Sequence, residues 1–217
     1  MKPKIDDHDV LEEIWHQVPP DYYQNGIANN QLQRKWHTGK LKAVIELIGN
    51  DPSSILDVGS ASGWFLDRVH RYFPKCHCVG VDIYEPAIKH AKKQYPSLTF
   101  KLGDAHKLPF KNSSFDVVIC TEVLEHVIDP LAVVKEIERV LVPGGRAIIE
   151  MDSGNFLFRA AWYWWTNMRK GVWRDSHIHI FNSSILENLL MKSELTLIKK
   201  KYFNFSMGVV FALEKRT

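Results

Sequence analysis

Hydrophobic and polar positions follow two different patterns along the chain. Residues 1–50 have helical periodicity, which predicts one segment around residues 10–18, a break at Pro19-Pro20 and a longer helix from about Asn30 to Ile48. Gly49 and Pro52 end that helix. From residue 51 onward, short apolar runs alternate with helical stretches. The expected strands are 55–58, 76–81, 98–102, 115–120 and 146–151, and the expected helices between them are 64–73, 86–94 and 131–141.

This alternation predicts a doubly wound α/β domain with a mostly parallel sheet, because the strands are apolar on both faces. The end of the chain departs from the pattern, with an aromatic helix-like segment at 155–168 and a short helix at 183–191. Two last apolar runs, 195–202 and 207–213, predict a terminal antiparallel hairpin. The expected units are a helical N-terminal cap at 1–50, a core at 51–151, an aromatic lid insertion at 152–182, and a helix and hairpin at 183–217 that complete the sheet.

Composition and charge narrow the class of protein. The chain has 217 residues, 45% of them hydrophobic, which is enough for a single globular domain to bury its own core. Its 28 basic and 25 acidic residues leave a net charge of +3, far from the balance of a dedicated nucleic-acid binder. Cys76, Cys78 and Cys120 are too few for a disulfide framework, and no segment has the pattern of a signal peptide or a membrane span. We therefore expect a cytoplasmic protein.

The loop after the first predicted strand has the composition of a ligand-binding loop. In the run Leu56-Asp57-Val58-Gly59-Ser60-Ala61-Ser62-Gly63, the glycines permit tight turns and the small residues between them let a ligand approach the backbone. The spacing D-x-G-x-A-x-G differs from the dinucleotide fingerprint G-x-G-x-x-G, and the carboxylate of Asp57 would repel a pyrophosphate. A cationic, phosphate-free ligand suits this loop better. A tight turn that merely needs small residues is the structural alternative.

Acidic residues follow the next two predicted strands. Asp82 lies about 20 residues beyond the loop, where a carboxylate can accept hydrogen bonds from a ribose diol; a helix N-cap is the alternative. Asp104 follows the third strand, where an ordinary turn residue is the alternative. Further along come the runs Leu108-Pro109-Phe110, Glu122-Val123-Leu124-Glu125-His126 and Leu141-Val142-Pro143-Gly144-Gly145.

In this order the motifs resemble those of class I S-adenosylmethionine-dependent methyltransferases. Over about residues 50–151 they are similar to the type 11 group, which includes ubiquinone and menaquinone biosynthesis enzymes. The resemblance implies a Rossmann-like methyltransferase fold, a methyltransferase that uses S-adenosylmethionine (SAM), and an adenine contact at Asp104. Ala61 departs from the family pattern, since it replaces the middle glycine. The cofactor-binding positions implied are Asp57, Gly59, Ser60, Ala61, Gly63, Asp82, Ile83, Asp104, Ala105 and Glu122.

Glu122, Glu125 and His126 are spaced so that one turn of helix would place all three side chains on one face. In ubiquinone-type O-methyltransferases, which this stretch resembles, such a cluster can hold a divalent metal that orients a catechol-like hydroxyl. The alternative, which we favour, is that Glu122 contacts the cofactor while Glu125 and His126 order the loop. No metal ligand is assigned, and His126 remains a catalytic candidate.

A second catalytic candidate lies beyond the lid. His177 and His179 alternate on a stretch predicted to be extended, so they point the same way and either could act as a general base near neutral pH. We assign the base to His177. A structural role for the histidine before the penultimate helix is the alternative.

The N-terminal segment has the mixture of polar and aromatic residues expected of a chain that folds over a cofactor. Arg34 could pair with the methionine carboxylate of SAM, and Tyr22 or Tyr23 could close over the methyl donor. The alternative is a solvated helix face with Trp36 packed on the sheet.

The segment 156–173 holds much of the tryptophan of the chain, with Arg159, Arg169 and Lys170 among the aromatic residues. This mixture is typical of a helix at a membrane interface or of the lining of an apolar pocket. A packed lid core or a dimer interface is the alternative. We expect a small, apolar, aromatic or lipid-like acceptor, with O-methylation favoured over C-methylation and peripheral membrane contact through 156–173 as an option. Monomer and homodimer both stay open.

Two rival functions remain. An RNA methyltransferase would need a contiguous basic surface, and the longest basic run is Lys199-Lys200-Lys201. A protein that binds SAM without catalysis, or serves as a partner subunit, would carry the same cofactor motifs, because a fold does not imply a function.

Overall fold

The computed structural model describes residues 19–20, 22–168 and 178–217, so the helix predicted around residues 10–18 lies outside the described residues. The strands are β1 Ser54–Val58, β2 His77–Asp82, β3 Thr99–Leu102, β4 Phe115–Thr121, β5 Leu141–Asp152, β6 Thr196–Phe203 and β7 Gly208–Glu214. The helices are α1 Tyr22–Asn29, α2 Gln31–Ile48, α3 Trp64–Tyr72, α4 Glu85–Gln94, α5 Pro130–Val140, α6 Phe156–Met168 and α7 Ser183–Leu190.

All seven strands belong to one sheet in the order β3-β2-β1-β4-β5-β7-β6. The first five strands are parallel, and β7 is antiparallel to both β5 and β6. This arrangement confirms the doubly wound α/β domain and the antiparallel C-terminal hairpin. The chain runs outward from β1 to β3 and then returns to β4 on the other side of β1. In such sheets ligands bind where the strand order reverses, beyond the carboxyl ends of the strands.

The sheet is buried on both faces, as the continuous apolar runs predicted. Neighbouring residues of one strand enter opposite cores: Leu56 packs in the cluster that includes α5 and α7, while Ile55 packs in the cluster that includes α2, α3 and α4. Both side chains are fully buried. The three cysteines are free thiols inside these cores.

Polar side chains define where several helices begin. Asn30 accepts hydrogen bonds from the amides of Leu32 and Gln33, which separates α1 from α2. Asn182 caps α7 in the same way. Asp129 caps α5 through the amides of Leu131 and Ala132. These caps satisfy amides that have no partner within the helix, so they fix the helix starts.

Three local expectations differ from the structure. Helix α1 follows Pro19-Pro20 at once, where the sequence suggested only a break. Strand β5 begins at Leu141 rather than residue 146, because Leu141 already pairs with Phe115 ahead of an irregularity in β4. Residues 122–128 form turns instead of a helix. Among the described residues, no helix is long and apolar enough to cross a membrane.

Candidate functional site

A cleft opens at the carboxyl ends of β1 to β4, beside the point where the strand order reverses. It gathers most of the positions that the resemblance implies as cofactor contacts. Its lining includes Gly59, Ala61, Asp82, Ile83, Asp104, Ala105, Glu122 and His126. Apolar side chains from the same strand ends, among them Val58, Val81 and Val123, complete the walls.

The loop after β1 turns through three residues with left-handed backbone conformations. Gly59 and Gly63 have φ values of 75° and 82°, and Ala61 has a φ value of 44°. A Cβ atom on Gly59 would lie 2.2 Å from a methyl group of Val123, so this position needs glycine for space as well as for conformation. Ala61 adopts the conformation of the family's middle glycine in spite of its side chain, which costs about 1–2 kcal/mol.

Asp82, at the end of β2, supports this loop directly. One carboxylate oxygen accepts a hydrogen bond from the amide of Ala61 at 2.8 Å, and the other accepts from the amide of Tyr84 at 2.9 Å. Each oxygen keeps further acceptor capacity toward the cleft. Asp82 therefore combines the loop-ordering role with the acceptor geometry expected for a ribose diol.

Asp104, after β3, is oriented by a histidine that the sequence analysis did not single out. The Asp104 carboxylate accepts from the amide of His106 at 2.9 Å and lies 2.8 Å from Nδ1 of the same ring. The other ring nitrogen accepts from the amide of Asp129 at 3.2 Å. This second bond assigns the proton to Nδ1, so the ring donates to Asp104 and joins the cleft to the start of α5.

Glu122 lies where β4 ends, with a left-handed φ value of 53°. Lys40 of α2 places its ammonium 3.0 Å from one oxygen of Glu122, and the indole of Trp36 donates to the same oxygen at 3.2 Å. The Lys40 ammonium also lies 3.7 Å from a carboxylate oxygen of Glu150 on β5. The side chain of Lys40 is buried, so α2 supplies the cation of a buried ion pair at the site.

The carboxyls around this ion pair differ in their charge. Burial alone would raise the pKa of Glu122, but the Lys40 ammonium together with His37 and the hydrogen bonds from Lys40 and Trp36 outweighs burial and lowers this pKa to about 2. Burial raises the pKa of Glu150 to about 8 and that of Asp152 to about 7. The pKa of Asp57 is also raised to about 8, first by burial and then by the charge of Asp82. Of these carboxyls, Glu122 is therefore the one that is fully charged at neutral pH, and it is the one that pairs with Lys40.

The expectation of one helical face carrying Glu122, Glu125 and His126 was wrong. The left-handed backbone at Glu122 prevents a helix from starting there, and the carboxylate of Glu122 turns to Lys40 while Glu125 is buried. Within residues 19–20, 22–168 and 178–217, no group of three or more histidine, cysteine or acidic side chains is arranged to hold a metal ion.

The flanking candidates have mixed outcomes. Arg34 donates to the carbonyls of Ile27 and Ala28 at the end of α1, so its pairing with a cofactor carboxylate stays a prediction. His179 donates from Nε2 to the carbonyl of Val127 at 2.9 Å, which favours the structural alternative for that histidine. His177 lies outside the described residues, as do the side chains of Tyr22 and Tyr23. The described lining of the cleft does not include Asp57, Ser60 or Gly63, so the contacts of these residues with a cofactor stay predictions.

Lys40 and His106 are the site residues that sequence reasoning missed. Both lie outside the familiar motifs. Lys40 pairs with Glu122 at the end of β4, and His106 joins Asp104 to the amide of Asp129 at the start of α5. One signal was available for Lys40: it falls four residues after Trp36, on the apolar face of α2 that also carries Val44 and Leu47. A lysine among buried positions of an amphipathic helix indicates a buried acidic partner.

The strand order and the glycine loop with its acidic partners define the class I methyltransferase fold. Residues 56–149 match the family model described as a methyltransferase domain, type 11. The chain is 33% identical over 145 residues to a demethylmenaquinone methyltransferase from Lactococcus lactis, covering 64% of this chain and 56% of that protein. It is 30% identical over 135 residues to a malonyl-[acyl-carrier protein] O-methyltransferase from Hahella chejuensis, covering 61% of this chain and 47% of that protein.

The chain thus spans about half the length of these relatives. Among solved structures, it is similar to the N-methyltransferase NodS from Bradyrhizobium japonicum in complex with S-adenosyl-L-homocysteine. The TM-score is 0.68 at 17% sequence identity, over 97% of this chain and 98% of that one. At this identity the likeness shows a shared fold.

Proposed function

We propose that this protein binds SAM in the cleft and transfers its methyl group to a small acceptor. The observation that carries the proposal is the convergence of Asp82 and Asp104 on the loop of Gly59 and Ala61 in one cleft. These carboxylates suit the ribose hydroxyls and the adenine amino group of SAM. The transfer is an in-line displacement at the methyl carbon, in which the sulfur keeps the electron pair of the broken bond. Positioning of the two reactants supplies much of the catalysis.

We further propose an apolar, aromatic or lipid-like acceptor. Trp36 packs against Phe158 and Phe203, with ring centroids 6.0 and 5.5 Å apart, and its indole donates to Glu122 at the cleft. An aromatic surface beside a charged carboxylate suits an apolar body that carries one polar reacting group. The relative named as a demethylmenaquinone methyltransferase supports an acceptor of this apolar kind.

We favour O-methylation over C-methylation, which the relative named as a malonyl-[acyl-carrier protein] O-methyltransferase supports. A hydroxyl nucleophile loses its proton to a base as the new bond forms. His126 lines the cleft and is the candidate base among the described residues; His177 is the other candidate. The variant His126→Gln should keep SAM affinity and lower the single-turnover rate by about 10²-fold or more if His126 takes that proton. An unchanged rate would leave the role to His177.

Peripheral membrane contact is part of this proposal. Phe156 and Phe205 have 87% and 89% of their surface exposed, and Ile180 has 81%. Asn155, next to Phe156, donates to the carbonyl of Ser206, next to Phe205, so the two rings belong to adjoining segments.

Buried free thiols fit a cytoplasmic location. Size-exclusion chromatography with light scattering would distinguish a monomer from a homodimer.

The rival functions make different predictions. The basic run that an RNA methyltransferase would use is partly neutralised, since Lys200 and Lys201 form ion pairs with Glu187 and Glu46. A SAM-binding protein without catalysis remains the second candidate, because the cofactor cleft is common to both. Methyl transfer from labelled SAM to quinol, phenol and lipid acceptors separates it from an enzyme.

The first experiment is calorimetric titration with SAM and S-adenosylhomocysteine. Wild-type protein should bind both ligands, and Asp82→Ala should lower the affinity by about 10-fold to 100-fold, since it removes a charged hydrogen-bond acceptor. Asp67→Ala is the matched control, because the Asp67 carboxylate pairs with Arg71 on the surface of α3. Absence of binding to wild-type protein would overturn the proposal.

A further inference from the structure

The buried ion pair at the cleft joins Glu122, a motif position, to Lys40, which lies outside the matched methyltransferase domain. The ammonium of Lys40 lies 3.0 Å from Glu122, and its side chain is only 4% exposed. Buried ion pairs rarely add net stability over apolar residues of the same volume, because both charges lose their hydration. Stability alone therefore gives no reason to keep a lysine here.

The donors converge on one oxygen of Glu122. Trp36 and Lys40 are four residues apart on α2, so they lie on the same helix face, and both hydrogen-bond to Oε1. The amide of Glu122 donates to the carbonyl of Glu150 at 3.0 Å, which holds the backbone in place from the other side. The Glu122 side chain keeps 25% of its surface exposed and lines the cleft, so its remaining acceptor capacity is available to a ligand.

Glu150 shows that the pairing is selective. Its carboxyl is 1% exposed, and neither oxygen has a hydrogen-bond partner among the described residues. Burial raises the pKa of Glu150 to about 8, whereas Lys40 lowers that of Glu122 to about 2. The cation on α2 therefore maintains charge on Glu122, which of these two carboxyls is the one that lines the cleft.

We propose that Lys40 is a positioning residue that keeps Glu122 charged and oriented for the cationic end of the cofactor, so that docking of α2 completes the cofactor site. This inference rests on the proposed function. SAM carries an ammonium and a sulfonium, both of which a fixed carboxylate would stabilise. Lys40 itself does not contact the cofactor.

The test is a double-mutant cycle on SAM affinity measured by calorimetry. Lys40→Met should weaken binding at pH 7 by about 10-fold to 100-fold, because Glu122 then loses the cation that keeps it charged. Glu122→Gln should weaken binding by a similar factor, and adding Lys40→Met to it should cause no further loss. Lys42→Met, at an exposed position of the same helix, is the control and should bind as wild type does.

A pH series separates positioning from a structural effect. In Lys40→Met, affinity should recover as the pH rises and Glu122 loses its proton, whereas a merely loosened fold would show no such recovery. The same region holds other titratable groups, so the comparison is the difference between variant and wild type at each pH. The groups that act on Lys40 or Glu122 are His37 on α2, Asp57 on β1, Glu125 after β4, and Glu150 and Asp152 on β5.

Two further variants keep the inference testable if Lys40→Met unfolds. Lys40→Arg retains the charge and should retain most of the affinity. Trp36→Phe removes only the second donor to Glu122, and its loss of affinity should vanish in the Glu122→Gln background. If the losses of affinity in Lys40→Met and Glu122→Gln simply add in the double variant, the role of Lys40 is overturned, although the proposed SAM binding by wild-type protein is not. If wild-type protein binds no SAM, the proposed function and this inference both fall.

Discussion

The carboxylate of Asp82 and the backbone amide of Ala61 form a hydrogen bond of 2.8 Å that joins the end of β2 to the loop after β1. The side chain proposed to accept from the ribose is therefore fixed directly to the glycine loop. This bond also explains how the chain tolerates alanine where the family has glycine, because it holds the left-handed backbone in place.

Ala61→Gly should leave the protein as stable as wild type or stabilise it by up to about 1 kcal/mol. Glycine removes about 1–2 kcal/mol of left-handed strain and gives back about 0.5–1 kcal/mol through the greater entropy of the unfolded chain. Urea unfolding measures the difference. The control is Ala160→Gly at an exposed position of α6, which should lose about 1 kcal/mol. If Ala61→Gly loses as much stability as Ala160→Gly, the backbone of Ala61 is not strained.

His106→Ala should lower SAM affinity by up to about 10-fold, because Asp104 loses a ring donor that fixes its orientation. The amide of Asp129 loses its acceptor as well, so a modest loss of stability should accompany the change. Calorimetry and urea unfolding measure the two effects. His77→Ala, at the exposed start of β2, should change neither quantity; unchanged affinity in His106→Ala would show that Asp104 needs no such support.

The free energy of unfolding should fall as the pH rises from about 5 to 8. The pKa of Asp57 and that of Glu150 are about 8 in the folded chain, raised mainly by burial, against ordinary values near 4. Across this window the folded chain binds protons that the unfolded chain has released. The stability that these protons contribute is complete only below about pH 4, and it is lost progressively toward pH 8. Each such proton contributes about 1.4 kcal/mol per pH unit.

The variant Glu150→Gln should flatten this pH dependence, since it removes the proton of Glu150 while keeping the shape of the side chain. Urea unfolding at pH 5.5, 7 and 8.5 measures the slopes of wild type and variant. The lowered pKa of Glu122 acts in the opposite direction, but only below its ordinary value of 4.5, outside this window. Parallel slopes would show that Glu150 is ionised in the folded protein.

Phe156→Ser together with Phe205→Ser should reduce flotation with vesicles of phosphatidylglycerol and phosphatidylcholine. Both rings are almost fully exposed, so removing them should change the free energy of unfolding by no more than about 0.5 kcal/mol. Tyr72→Ser is the control, because Tyr72 is 61% exposed on α3, away from these segments. Wild-type protein that never floats would remove the membrane contact from the proposal.

The sheet and the glycine loop could be predicted from the sequence because their signals are local. Continuous apolar runs identified β1, β2 and β4 to within about two residues, which is the usual uncertainty of strand ends. Asp82 and Asp104 were found because carboxyl ends of parallel strands share one edge of a sheet. The ligand cleft then followed from topology.

The ion pair of Lys40 and Glu122 could not be predicted in the same way. Its partners are joined by tertiary packing of α2 on the sheet. The position of Lys40 on the apolar face of α2 indicates a buried acidic partner but does not identify Glu122. The prediction of one helical face for Glu122 and His126 was wrong for a local reason. The spacing of side chains does not show that the backbone φ value of Glu122 is 53°. Spacing predicts a shared face only after the conformation is known.

The order β5-β7-β6 also has a consequence for biosynthesis. Strand β5 lies in the middle of the finished sheet, yet one of its two neighbours is β7, the last strand in the sequence. While the chain emerges from the ribosome, β5 presents an unpaired and strongly apolar edge until Gly208–Glu214 has been translated. A nonsense mutation that removes only this strand would therefore produce a chain prone to aggregation, even with every residue of the cofactor cleft intact.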